Sequence, residues 1–75
     1  MEHIATKKAL KNIADISVFN HVLSRATLSD SDKRLIKRHY IDDIPLNIVA
    51  LELNISEAEC YDRHRKALQK ISKII

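Results

Sequence analysis

The chain contains no glycine and only one proline, Pro45, among its 75 residues. Glycine supplies the positive φ values that tight β-hairpin turns need, so a chain without it has few ways to join neighbouring strands. Helices joined by short connections need far fewer such positions. The sequence therefore predicts an all-α fold, a small helical domain of about four helices, or five if its first apolar segment is divided.

The size of the chain argues against catalysis. One small domain over residues 1–75 has a core worth only about 3–5 kcal/mol, on which a catalytic cleft is hard to build. The pairing of Ser29 with Asp32 is explained by helix capping rather than by a catalytic triad. Cys60 is the only cysteine, and the histidines show no ligand spacing, standing at His3, His21, His39 and His64. We expect surface or half-buried imidazoles, and no enzyme, no metal and no cofactor.

Composition also bears on location and partner. The lone cysteine excludes an internal disulfide and fits a reducing compartment. No apolar run approaches the roughly 20 residues of a membrane helix, and no signal-peptide layout opens the chain. We therefore expect a cytoplasmic protein without membrane contact. The net charge of +3 fits a nucleic-acid partner without requiring one.

Residues 1–25 form an N-terminal helical segment in this interpretation. Asp15 and Ser17 could each cap a second helix, so the segment is one long helix or two. Its apolar residues recur at helical spacing but exceed one narrow stripe, which suggests packing on the rest of the chain or a homodimer contact. These residues are Ile4, Leu10, Ile13, Ile16, Phe19, Val22 and Leu23.

Capping signals place the remaining helices. Ser29 with Asp32 three residues later resembles a capping box, and it predicts a helix from about Asp30 to Ile41. A polar turn over residues 42–45 follows, because the residue before a proline disfavours the helical region.

The segment from Leu46 to Ile71 has the pattern of a short helix, a tight turn and a second helix. Asn54 is the best available substitute for glycine at the left-handed position that ends the first helix. Ser56 and Glu59 form a second capping box, so the last helix should run from Glu57 to near the C-terminus. The apolar stripe of the short helix is formed by Ile48, Val49, Ala50 and Leu53.

The string "LSDSDKRLIKRHYIDDIPLNIVALELNISEAECYDRHRKALQKI" from Leu28 to Ile71 resembles region 4 of the sigma-70 factors. Its end, "YDRHRKALQKI", is similar to the phage late-gene activators of the ArpU/RinA type. The resemblance implies a sigma-70 region 4-like helix-turn-helix over residues 28–75. Arg63 stands where the family often has an apolar residue. The core that the resemblance implies is Val49, Ala50, Leu53, Ile55, Cys60, Ala67, Leu68 and Ile71.

The DNA-binding residues expected from this resemblance lie in the last helix, residues 57–75. If it enters the major groove, its first two turns face base edges, which nominates Glu57, Ala58, Tyr61, Asp62 and Arg65. The basic side chains farther along would contact phosphates, namely Arg63, Arg65, Lys66, Lys70 and Lys73. The negative charges of Glu57, Glu59 and Asp62 would repel the DNA phosphates. Glu57 and Glu59 are explained as well by stabilisation of the helix start, through the helix dipole, as by base reading.

Three functions are consistent with these patterns. The first, which we favour, is a transcription regulator that binds double-stranded DNA, encoded by a phage or prophage and acting as an activator. The second is a module that holds RNA polymerase or a sigma factor through a sigma-like fold. The third is a dimerisation adaptor based on the apolar N-terminal segment. Salt-dependent binding to duplex DNA separates the first two, because phosphate contacts make affinity fall steeply with salt.

Overall fold

Five helices make up the part of the chain that the computed structural model describes, residues 4–74. They are α1 (Ile4–Asn12), α2 (Ile16–Arg25), α3 (Asp30–Tyr40), α4 (Leu46–Leu53) and α5 (Glu57–Ser72). Within this range no residue lies in a strand, so the all-α prediction is confirmed. The predicted segments 1–25 and 57–75 include residues 1–3 and 75, which lie outside the described residues.

The first apolar segment is divided into two helices, α1 and α2. The backbone N–H of Ile13 donates to the Leu10 carbonyl at 3.3 Å as α1 ends. The Asp15 carboxylate then accepts from the backbone N–H of Ser17 at 2.8 Å and caps α2. Asp15 is thus the cap of α2, and residues 4–74 contain five helices.

Serine caps begin α3 and α5 where the sequence predicts. The Ser29 hydroxyl accepts from the Asp32 N–H, and the Ser56 hydroxyl accepts from the Glu59 N–H, each at 3.1 Å. The return bond of a capping box, from the Ser56 N–H to the Glu59 carboxylate, does not form. Instead the Glu59 carboxylate pairs with Arg63 at 2.8 Å. Half of the predicted capping box is therefore wrong, because one helical turn farther on a guanidinium competes for that carboxylate.

The turn between α4 and α5 depends on Asn54. This residue has φ 59° and ψ 45°, the left-handed conformation that asparagine tolerates better than most residues. The next backbone N–H, that of Ile55, donates to the Ala50 carbonyl at 3.0 Å and closes the end of α4. Thr27 and Asp43 also have positive φ, both 57°. A β-branched residue such as Thr27 rarely adopts this conformation, and no sequence signal indicated it.

The core receives side chains from every helix. Most of the core implied by the family resemblance is buried, but Leu53 and Ile55 are only partly buried against it. Ile48, which the sequence places in the apolar stripe of α4, is 40% exposed and lies at the edge of the core. The buried apolar residues are Leu10, Phe19, Val22, Leu23, Ala26, Leu28, Leu35, Ile36, Tyr40, Leu46, Val49, Ala50, Cys60, Ala67, Leu68 and Ile71.

The last helix is the longest and the central one. It has 16 residues and packs against α1, α3 and α4, whereas the other helices have between 8 and 11 residues. None of the helices in residues 4–74 is long and apolar enough to cross a lipid bilayer. The packing leaves the side of α5 opposite the core open to solvent.

Candidate nucleic-acid interface

Four of the residues predicted to read bases share one outward face of α5. Ala58, Tyr61, Asp62 and Arg65 follow the spacing i, i+3, i+4 and i+7, which places them on adjacent turns of one helical surface. Ala58 and Arg65 are exposed, Tyr61 is 52% exposed and Asp62 is half-buried. Glu57, the fifth, is exposed in the first turn. The structure therefore brings the predicted group together at the beginning of the helix.

The opposite face of α5 fixes the helix to the core. Cys60 is fully buried, and its Sγ donates to the Leu46 carbonyl at 3.4 Å. Burial raises the pKa of the Cys60 thiol, so the thiol form predominates. The interpretation of Cys60 as a small buried residue is confirmed.

A ring cluster joins α5 to the end of α3. The Tyr40 hydroxyl and His64 Nε2 are 2.8 Å apart, and the two rings are stacked with an interplanar angle of 16°. His39 packs edge-on against both rings and bonds to the Ile44 carbonyl through Nδ1 at 2.8 Å. Only 7% of His64 is exposed, so its expected placement at the surface or half-buried is wrong. This cluster sets the rotation of α5 about its own axis.

Asp62 is balanced by two cations of its own helix. Its Oδ1 lies 2.7 Å from Arg65 Nη2, and its Oδ2 lies 3.0 Å from Lys66 Nζ. The hydrogen bond from Arg65, followed by that from Lys66, lowers the pKa of Asp62. The carboxylate is therefore ionised at neutral pH, and its charge on the outward face is offset by its neighbours.

Arg63 is turned away from this face and toward α3. Its Nη1 donates to the Ser31 hydroxyl at 3.1 Å, and its Nη2 pairs with Glu59 at 2.8 Å. Arg63 thus joins α5 to the first turn of α3. The sequence pattern did not indicate the contact between Arg63 and Ser31, because these two residues are 32 positions apart.

A basic groove runs beside the outward face toward the end of α5. Lys66, Lys70 and Lys73 line an open cavity of 400 Å³ together with Arg63 and one acid, Asp32. An adjoining cavity of 260 Å³ adds Arg25 from the end of α2 to Lys70 and Lys73. None of the ion pairs in residues 4–74 involves Arg25, Lys70 or Lys73. Sequence reasoning missed Arg25, because only the packing of α2 brings it beside α5.

A second ion-pair network holds α4 against α3. Arg38 donates to both carboxylate oxygens of Glu52, at 2.9 Å from Nε and 2.6 Å from Nη2, and to Asp42 at 2.8 Å. The hydrogen bond from Arg38 lowers the pKa of Glu52, and those from Glu52 and Asp42 raise the pKa of Arg38. The two-pronged contact orients α4, and therefore the turn from which α5 departs.

Comparisons with family models, curated proteins and solved structures find no match for this chain. Residues 4–74 contain no group of three or more histidine, cysteine, aspartate or glutamate side chains placed to hold a metal ion. The outward face of α5 and the basic groove beside it are thus the features on which a function can be argued.

Proposed function

We propose that this protein is a DNA-binding transcription regulator, a phage or prophage activator, that places α5 in the major groove. In this proposal α4, the turn at Asn54 and α5 form a helix-turn-helix similar to region 4 of the sigma-70 factors. The observation that carries the proposal is the outward cluster on the first turns of α5, at residues 58, 61, 62 and 65. A recognition helix presents its N-terminal residues to base edges in this way.

The charge distribution supports a duplex as the partner. Lys66, Lys70 and Lys73 lie on the flank of the outward cluster, where a sugar-phosphate strand would pass if α5 lay in the groove. From Lys66 to Lys73 the helix rises about 10 Å, which is about three nucleotides along one strand. Asp62 reduces the positive charge on the face itself, so attraction to phosphate comes mainly from the flank.

A second candidate is a module that binds RNA polymerase or a sigma factor. It is favoured by the exposed apolar side chains of α4, where Leu51 is 76% exposed and Ile48 is 40% exposed. Surface apolar residues that adjoin one another are typical of protein contacts rather than of phosphate contacts. The acidic first turn of α5, with Glu57 and Glu59, is consistent with this candidate.

The test is the binding of the full chain to a generic duplex over a series of salt concentrations. The logarithm of the affinity should fall linearly with the logarithm of salt. The double change Arg65→Ala and Lys66→Ala should weaken binding, and the slope should fall by about one for each phosphate that is no longer neutralised. Helical content should stay the same, since both side chains are exposed.

The matched control is Lys7→Ala with Lys8→Ala, which makes the same change in net charge on exposed positions of α1. It should keep most of the affinity and of the salt slope. If the two double variants behave alike, the assignment of α5 to DNA is wrong. If the unaltered chain binds no duplex at any salt concentration, the polymerase or sigma module becomes the better proposal.

A further inference from the structure

Asp62 occupies the centre of the outward face of α5. Ala58 lies one turn before it and has no side chain beyond Cβ, so the backbone there can approach a base edge closely. Arg65 and Lys66 lie one turn after it, and each contacts a different carboxylate oxygen. An ionised carboxylate has lone pairs to spare beyond these two bonds, but it can only accept hydrogen bonds.

An acceptor at this position distinguishes among bases in the major groove. Guanine presents two acceptors and thymine presents one, so both repel a carboxylate. Adenine has a donor amine, but its neighbouring N7 is an acceptor and repels a carboxylate. Cytosine presents its amine alone, and it is the base that an aspartate contacts best.

Arg65 complements this acceptor with donors. Its Nη2 is held by Asp62 at 2.7 Å, and its side chain is 52% exposed. A guanidinium has five N–H donors in a planar fork, so one bond to Asp62 leaves donors that can engage the O6 and N7 of a guanine. Because Asp62 already fixes the guanidinium, the arginine gives up less conformational freedom when it meets a base.

We propose that Asp62 and Arg65 act as one coupled unit that selects a cytosine, read by Asp62, together with a guanine, read by Arg65, on the same or the next base pair. This inference rests on the proposed function, since it assigns base preference to the same face of α5. Residues three apart on a helix are about 5–6 Å apart, a separation that fits neighbouring base edges. The preferred DNA ligand is then a duplex with a G·C pair at the centre of the contacted site.

The experiment is selection from a randomised duplex library by the full chain and by two variants. The unaltered chain should enrich duplexes that carry a G·C pair at the contacted position, or a cytosine with a guanine on the next base pair. Changing that cytosine to thymine should lower affinity about tenfold or more. Asp62→Asn should change the preferred base from cytosine to adenine, because an amide can bond both N6 and N7 of adenine. Arg65→Lys keeps the charge but removes the fork, and should relax the preference for guanine.

The matched control is Asp43→Asn, which changes the net charge equally and suits the positive φ of 57° at that position. It should enrich the same duplexes as the unaltered chain. If the unaltered chain binds without enrichment, or Asp62→Asn enriches the original sequence, the coupled unit is overturned while DNA binding stands. If no form of the chain retains any duplex, the proposed function itself fails. Circular dichroism of each variant establishes that it is folded, and Arg65→Lys supplies an independent measurement.

Discussion

At the scale of single residues, short polar side chains determine where the helices begin and end. Asp15, Ser29 and Ser56 each accept from a backbone N–H two or three residues ahead. These amides have no partner inside the helix, so the side chain replaces water at a helix start. Asn54 ends α4 through a left-handed backbone instead. In a chain without glycine, short polar residues such as these begin the helices and form the turns between them.

The cap at Ser56 yields a prediction for stability. Ser56→Ala removes the acceptor for the Glu59 N–H and should lower the free energy of unfolding by about 1 kcal/mol. Thermal melting followed by circular dichroism measures it. Ser72→Ala is the control, because the Ser72 hydroxyl donates to the Gln69 carbonyl at the other end of α5 and caps no amide. Equal melting of Ser56→Ala and the unaltered chain would mean that α5 does not depend on this cap.

Tyr40 yields a prediction for alkaline pH. Burial raises the pKa of Tyr40 to about 12, against an ordinary value of about 10. Since folding disfavours the ionised form, the contribution of Tyr40 to stability is complete below pH of about 10 and is lost as the pH rises through about 12. The variant Tyr61→Phe leaves Tyr40 as the only tyrosine, and its phenolate absorbance should titrate near 12. Tyr40→Phe should lack that transition, and a midpoint near 10 would contradict burial.

At the scale of elements, α4 and α5 are positioned by contacts with α3. Arg38 links α3 to α4 through Glu52, and Tyr40 links α3 to α5 through His64. The first contact is an exposed ion pair, whereas the second lies in the core. Helix α3 therefore positions the proposed DNA-binding face, although none of its own residues belongs to that face.

The α3–α4 ion pair yields a prediction for acidic pH. The pKa of Glu52 is lowered from its ordinary value of 4.5 by the hydrogen bond from Arg38. Its contribution to stability is therefore present above about pH 4.5 and is lost as the pH falls through the lowered pKa. Glu52→Gln should unfold at lower denaturant concentration than the unaltered chain at neutral pH, and the difference should vanish in acid. Asp43→Asn, without an ion pair in the described residues, should show no such convergence.

At the scale of the whole molecule, α1 and α2 complete the core and leave a small apolar surface. Leu10, Phe19, Val22 and Leu23 are buried, so most of the N-terminal apolar residues pack within the chain. Three side chains of these helices stay exposed: Ile4 by 41%, Ile16 by 59% and Val18 by 49%. Removal of the first 25 residues would expose the core, so point variants are the better test of self-association.

We propose a homodimer through the exposed apolar residues of α1 and α2, which would also present two DNA half-sites. Sedimentation equilibrium of the full chain should show dimers, and Ile16→Lys should shift them to monomers because a buried charge opposes the contact. Leu51→Lys is the control, since it changes an equally apolar exposed residue on α4. A chain that stays monomeric at tens of micromolar, a generous concentration for a functional dimer, rules the dimer out.

The face of α5 could be foreseen from the sequence because helix geometry is regular. Once Ser56 marks the first turn, the spacing of Ala58, Tyr61, Asp62 and Arg65 places them on one side of the helix. The ion pairs of Asp62 with Arg65 and Lys66 could also be foreseen, because residues three and four positions apart are neighbours on a helix surface. These properties depend on residues only three or four positions apart, so the chain determines them locally.

The amino-acid sequence by itself determined the all-α class through its lack of glycine. It also determined the starts of α3 and α5 and the left-handed turn at Asn54 through bonds between near neighbours. Tertiary structure decided the rest, through contacts between residues far apart in the chain. The Arg63–Ser31 bond spans 32 positions and the Tyr40–His64 bond spans 24. The exposure of Ile16 and Ile48 and the approach of Arg25 to Lys70 depend on the same packing. No local pattern specifies them, because the angle at which two helices cross depends on every side chain between them.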